Sequence, residues 1–120
     1  MTPTVVWTEI PVTDITRAAD FYSTVFGYKM DIDSNGPNPM AVFNGAMDGV
    51  GGHLYPGTPA ANGGNTIHLA ISDALEDAIE RCKTAGGKVN EQVIDIPFGR
   101  FVYATDLDGN SIGLFEAKAA

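Results

Sequence analysis

Apolar residues along this chain keep two different rhythms, and the alternation between them outlines the fold. From Val5 to Val12 the chain reads as a strand, with Trp7, Glu9 and Pro11 on one face. Asp14 then opens a segment whose apolar stripe runs Ile15, Ala18, Ala19, Tyr22, Val25 and Phe26. That spacing is helical, and the following Gly27 is a stop signal, so a helix is predicted over 14–26. Strands are predicted near 28–33, 39–44 and 50–56. A stretch with Pro56, Gly57, Pro59, Gly63 and Gly64 reads as a linker. Beyond it the same order returns: a strand at 66–72, a helix at 74–85, and strands near 88–94, 100–105 and 110–116.

The second pass is a repeat of the first. Asp73 opens a stripe of Leu75, Ala78, Ile79, Cys82 and Ala85, and Gly86 and Gly87 close it. The openings at 14 and 73 lie 59 apart, and so do the stops at 27 and 86. Later signals repeat at an offset of 60: Ala41-Val42-Phe43 with Phe101-Val102-Tyr103, Asp48-Gly49 with Asp108-Gly109, and Leu54-Tyr55 with Leu114-Phe115. Each Asp-Gly pair is a hairpin-turn signal. The fold class that follows is α+β, with two βαβββ units forming a curved mixed sheet around a cleft. Unit one covers 1–57, the linker 58–64 and unit two 65–116 within a single domain.

Composition narrows the function classes. The 120 residues are 44% hydrophobic and 18% charged, enough to close a core without disulfides or structural metal. With 7 basic against 15 acidic residues the net charge is −8, which removes the basic footprint of a nucleic-acid binder and repels anionic membranes. Cys82 is the single cysteine, so no intrachain disulfide forms, and its place on a helix's apolar face suits a small buried hydrophobe. No apolar run approaches the ~20 residues of a membrane span. The start of the chain lacks a basic and apolar leader, and a cytoplasmic location is the default expectation.

The phrases Glu9-Ile10-Pro11-Val12-Thr13-Asp14, Ala18 to Gly27 and Ala85-Gly86-Gly87-Lys88-Val89 go with two more near the end. Those are Asp106-Leu107-Asp108-Gly109-Asn110 and Ile112-Gly113-Leu114-Phe115-Glu116. Set on a doubled βαβββ unit, they make the chain resemble the vicinal oxygen chelate superfamily, which holds glyoxalase I, bleomycin-resistance proteins, extradiol dioxygenases and fosfomycin-resistance enzymes. The resemblance implies a divalent metal held by the first and last strands of each unit. Its four positions fall on Trp7, His53, Thr66 and Gly113, the third shifting to Ile67 on a one-residue slip. Only His53 is an ordinary ligand, whereas a zinc- or nickel-type ion wants at least three. No metal is therefore expected at the family positions and no cofactor is required, with a divalent ion left as the alternative.

Other residues carry chemistry of their own. The repeat pairs Glu9 with His68, and a carboxylate facing an imidazole is a candidate general acid–base pair. With His53 the two would also make a ligand set for iron or zinc. Each has an ordinary structural reading beside it: a hydrogen-bonded strand glutamate, a core histidine, a rim histidine. Trp7, His53, Tyr55, Phe101 and Tyr103 are the candidate ligand-binding residues, offering aromatic faces to a planar ligand. The run Gly49 to Gly52 reads as a bulge or a close backbone approach in a strand rather than a phosphate loop. Pro97-Phe98-Gly99 is a loop that the resemblance places over the cleft. Asp106 to Asn110 reads as a tight turn.

Three functions remain in view. The first is a metal-free small-molecule binder of bleomycin-resistance type, working as a homodimer, whose acidic charge and aromatic faces suit a planar cation. The second is an enzyme: a metal-dependent lyase or dioxygenase with an altered ligand set, or an acid–base catalyst using Glu9 and His68. The third is a module kept for protein pairing.

Overall fold

The computed structural model describes residues 3, 7–43, 50–61 and 64–118. Val5, Val6, Met47, the Asp48-Gly49 turn signal and Gly63 lie outside these. Unit one runs β1 (Trp7–Val12), α1 (Ile15–Phe26), β2 (Ile32–Asp33), β3 (Met40–Phe43) and β4 (Gly51–Pro56). Unit two runs β5 (Ile67–Ile71), α2 (Leu75–Thr84), β6 (Lys88–Val89), β7 (Ile94–Ile96), β8 (Gly99–Thr105) and β9 (Ser111–Ala117).

Each unit forms its own mixed sheet. The first has the order β1-β4-β3-β2, and the second β5-β9-β8-β6, with β7 also on β8. β1 lies parallel to β4 and β5 parallel to β9, because a helix crossover returns the chain in the same direction. The remaining pairs are antiparallel. β1 and β5 are consequently the edge strands through which the two sheets approach each other.

Alternation decides which face each side chain takes. Ile10 and Val12 of β1, Leu54 of β4, Leu69 and Ile71 of β5, and Ile112 and Leu114 of β9 point into one core with both helices. Trp7, Glu9, His53 and His68 therefore stand on the faces turned away from the helices. The core crosses the boundary between the units. Tyr22 of α1 donates to the buried Asp106 carboxylate of unit two at 2.8 Å. Burial and that carboxylate push the Tyr22 phenol well above its ordinary pKa. Arg81 of α2 gives two hydrogen bonds to the Val25 carbonyl in the last turn of α1, where a cation meets the negative end of the helix. The free edges are tied reciprocally as well. Asn110 donates to the Pro11 carbonyl of β1, and Tyr28 donates to the Ala70 carbonyl of β5. Positions 11 and 70 are repeat equivalents, so each unit caps the same carbonyl of the other.

Three expectations change, the first being that the strand expected near 28–33 is only Ile32–Asp33. Asp14 caps α1 by accepting from the Arg17 amide, and Gly27 ends it at φ 74°. Asp73 does not play the matching role: the N-cap of α2 is Ala74, without a side-chain cap. Asp73 turns instead to the Arg81 guanidinium in a two-point ion pair. The orphan amide of Leu75 is taken by Glu116 from β9, a donor–acceptor pair that lies 41 residues apart in the chain. The strand expected over 88–94 is also two short strands, β6 and β7, both on β8. Between them the Asn90 side chain accepts from the Gln92 amide, a local bond that competes with the ladder.

Candidate functional site

The edges of β1 and β5 border a cleft of about 860 Å³, whose walls include Trp7, Glu9, Thr66, His68, Asn110 and Ser111. Glu9 and Trp7 reach it from one sheet and His68 from the other. Behind each wall stands a second row of side chains on the same sheet face.

On the first wall the register sets Glu9 beside His53. The His53 Nε2 lies 3.3 Å from Glu9 Oε1, and its Nδ1 accepts the Trp7 indole N–H at 2.9 Å. A ring nitrogen that accepts a hydrogen bond leaves the other as the ring's donor, and here that other nitrogen, Nε2, is the one nearest the carboxylate. His53 is only 13% exposed at its side chain, whereas Glu9 is 65% exposed. Tyr55 closes this row edge-on to His53, with ring centroids 6.1 Å apart.

The second wall is built differently at equivalent positions. His68 stands beside Gly113 in register, as Glu9 does beside His53. The ring of His68 meets Phe101 at 4.7 Å, Tyr103 at 5.8 Å and Phe115 at 6.2 Å. It lies directly over Gly113: a β-carbon there would meet Nδ1 in overlap, with Cε1 at 2.6 Å and Cγ at 2.8 Å. Glycine at 113 is thus what lets the imidazole lie flat in its aromatic surround.

The sequence-predicted residues therefore divide into two groups. Trp7, His53, Tyr55 and Glu9 gather on one sheet face, and His68, Phe101 and Tyr103 on the other. Glu9 and His68 line the same cleft, while the imidazole within 3.3 Å of Glu9 is that of His53. Phe115 was missed as a member of the second group, although the repeat pairs it with Tyr55. The pairing of Thr66 with Ser111 through their hydroxyls was also not foreseen. Gly52 marks a close approach, as expected: a β-carbon there would overlap the Thr8 carbonyl and come within 2.8 Å of the Phe43 ring. The Pro97-Phe98 turn joins β7 to β8 and leaves Phe98 75% exposed. Cys82 is fully buried, and its burial pushes the thiol pKa up to about 11, far from the range of a nucleophile.

The residues present do not make the implied four-ligand metal set. The indole of Trp7 and the bare Gly113 offer no donor pair to an ion. Among the described residues no three His, Cys, Asp or Glu side chains are grouped to hold one. The Trp7 and His53 positions are bonded to each other, and the space above Gly113 holds the His68 ring.

Doubled βαβββ units with a cleft between their edge strands define a class of small proteins that use one scaffold for binding and for several chemistries. The model of the Glyoxalase/Bleomycin resistance protein/Dioxygenase superfamily matches residues 4–114, and the chain belongs to that family. "Putative glyoxylase CFP32" of Mycobacterium tuberculosis is 29% identical over 119 residues, covering 93% of this chain and 45% of its own length. The chain thus spans less than half of that relative. A "Glyoxylase-like domain-containing protein" of Didymella fabae is 30% identical over 115 residues, covering 86% of this chain and 85% of its own. Among solved structures, TnmS3, an antibiotic binding protein from Streptomyces sp. CB03234, superposes with a TM-score of 0.64 at 24% identity. That match covers 98% of this chain and 99% of the other.

Proposed function

We propose that this protein binds a small planar organic cation in the cleft between its two units, and that it does so without the family's metal. The observation that carries the reading is how the implied metal positions are used. One is an indole bonded to the second, and another is a glycine whose β-space holds an imidazole. What remains in the cleft is an exposed carboxylate at Glu9, two residues from Trp7 on the same strand, with His68 on the other sheet. A carboxylate and an indole together attract a cation electrostatically and cover its ring. The net charge of −8 raises the local concentration of such ligands. A homodimer that brings units of two chains together is part of this reading.

Two measurements test it. Elemental mass spectrometry on protein purified without chelator is expected to find well under one equivalent of divalent metal. Near one equivalent of iron, zinc, nickel or manganese would overturn the metal-free reading. A thermal-shift series is expected to show stabilisation by planar cations that chelator leaves unchanged. The second reading, an acid–base enzyme, draws on Glu9 standing exposed in the cleft at 3.3 Å from an imidazole. Turnover of a lyase substrate by metal-free protein, lost in Glu9→Gln, would favour it.

A further inference from the structure

We infer that His53 is the positioning residue of this cleft: it sets the Trp7 indole and the Glu9 carboxylate as one unit for the cation that the proposed function assigns to the site. The inference rests on that reading and adds the device that orients the ligand.

Trp7 and Glu9 sit on β1, two residues apart and on the same face, and neither would be held there by the strand alone. Trp7 is 43% exposed, so packing leaves its ring free to turn. Glu9 is 65% exposed at its side chain, and a flexible carboxylate in water samples many rotamers. Both end on the one imidazole. His53 comes from the neighbouring strand β4, opposite Glu9 in register, where its side chain is 13% exposed. Val42 of β3 lies on its other side in register. Its ring is thus held by the sheet, with Tyr55 along its edge. It accepts the indole N–H at Nδ1 and presents Nε2 to Glu9. Its two nitrogens lie next to different partners, one hydrogen-bonded to the indole at 2.9 Å and the other 3.3 Å from the carboxylate.

The consequence is specific to binding. A cation over Trp7 gains from the ring's face and from the carboxylate only if the two are held at a fixed separation. With His53 in place, that separation exists before the ligand arrives. A residue of similar size without ring nitrogens would leave the indole and the carboxylate free, and ordering them would then fall on the binding step. The unit-two equivalent is Gly113, which bears no side chain to play this part. The orienting device therefore belongs to the first wall.

Trp7 is the chain's single tryptophan, so one indole N–H resonance reports the contact. In the intact wild-type protein, long-range proton–nitrogen spectra of His53 are expected to show the Nε2–H tautomer. The indole signal is expected to be shifted downfield and slow to exchange with water. The opposite tautomer overturns the inference without any variant. His53→Phe is expected to move the indole signal to its free position and to weaken binding of ethidium about tenfold, the scale of one lost hydrogen bond near a charged group. His53→Gln, which keeps an acceptor and a donor, is expected to stay within about threefold of wild type. Weak binding of the planar anion 8-anilinonaphthalene-1-sulfonate is expected to be unaffected by either change. Ethidium binding that His53→Phe weakens no more than His53→Gln overturns the inference and leaves the binding reading standing. Failure of the wild type to bind ethidium at all overturns the binding reading, and the inference with it.

Discussion

Replacing Gly113 with alanine tests whether the His68 ring occupies the space that a side chain at 113 would need. The added β-carbon overlaps Nδ1 of the imidazole and stands 2.6 Å from Cε1 and 2.8 Å from Cγ. Contacts this short cannot persist, so something must move. The neighbour is a side chain at an exposed position, and the imidazole can swing out about χ1. In doing so it leaves ring contacts with Phe101, Tyr103 and Phe115. Aromatic contacts are worth about 0.5–1.5 kcal/mol each beyond area, and overpacking typically costs about 1–3 kcal/mol. A loss of about 1–3 kcal/mol follows, measured as the shift of the urea midpoint at constant m-value. The decisive arm is the double variant Gly113→Ala/His68→Ala. With the imidazole gone the new methyl has room, so the double variant should be no less stable than His68→Ala alone. That corresponds to a coupling of about 1 kcal/mol or more. Additive losses, or a Gly113→Ala protein within about 0.5 kcal/mol of wild type, would refute the reasoning.

Gly52→Ala should behave quite differently, because its β-carbon meets the Thr8 backbone carbonyl, which no rotamer change can remove. The expected loss exceeds about 3 kcal/mol, seen as little folded protein by circular dichroism, and wild-type stability would contradict it. Acid should destabilise the fold through unit two. The Arg81 guanidinium holds the Asp73 carboxyl below its usual range, and Arg100 does the same for Glu76 and Glu116. Folded values below the unfolded ones mean that these carboxylates stabilise fully above the unfolded pKa of about 4. The contribution disappears as pH falls through the lowered folded values. The thermal midpoint should therefore fall as pH drops below about 4, and less so in an Arg81→Gln/Arg100→Gln variant. Equal acid sensitivity in that variant would rule out these pairs as the cause.

The doubled unit was legible because its signals are local. Helix stripes such as Ile15 to Phe26, the alternation in β1, and stop glycines depend on neighbours within a few residues, and the offsets of 59 and 60 align them. The same locality explains the misses. Asp73 opens the second stripe as Asp14 opens the first, but its carboxylate pairs with a guanidinium eight residues on, and Glu116 from a distant strand accepts from the helix's first amide instead. Between β6 and β7 the Asn90 side chain accepts from the Gln92 amide, a local bond that no periodicity encodes.

The candidate site divides along the same line. That Trp7 and Glu9 share one strand face, and Thr66 and His68 the equivalent face of the partner strand, followed from the period of two. The absence of the implied ligand set also followed from residue types alone, since tryptophan and glycine cannot act as ligands whatever their surroundings. Which imidazole meets Glu9 was decided only in three dimensions. The repeat relates position 9 to 68 by symmetry, but contact requires adjacency, and strand pairing puts His53 beside Glu9. Likewise, that Gly113 is a seat for the His68 ring depends on β5 lying against β9 in one register. Periodicity along the chain determines the face a side chain takes, whereas its partner depends on which strand comes to lie beside it.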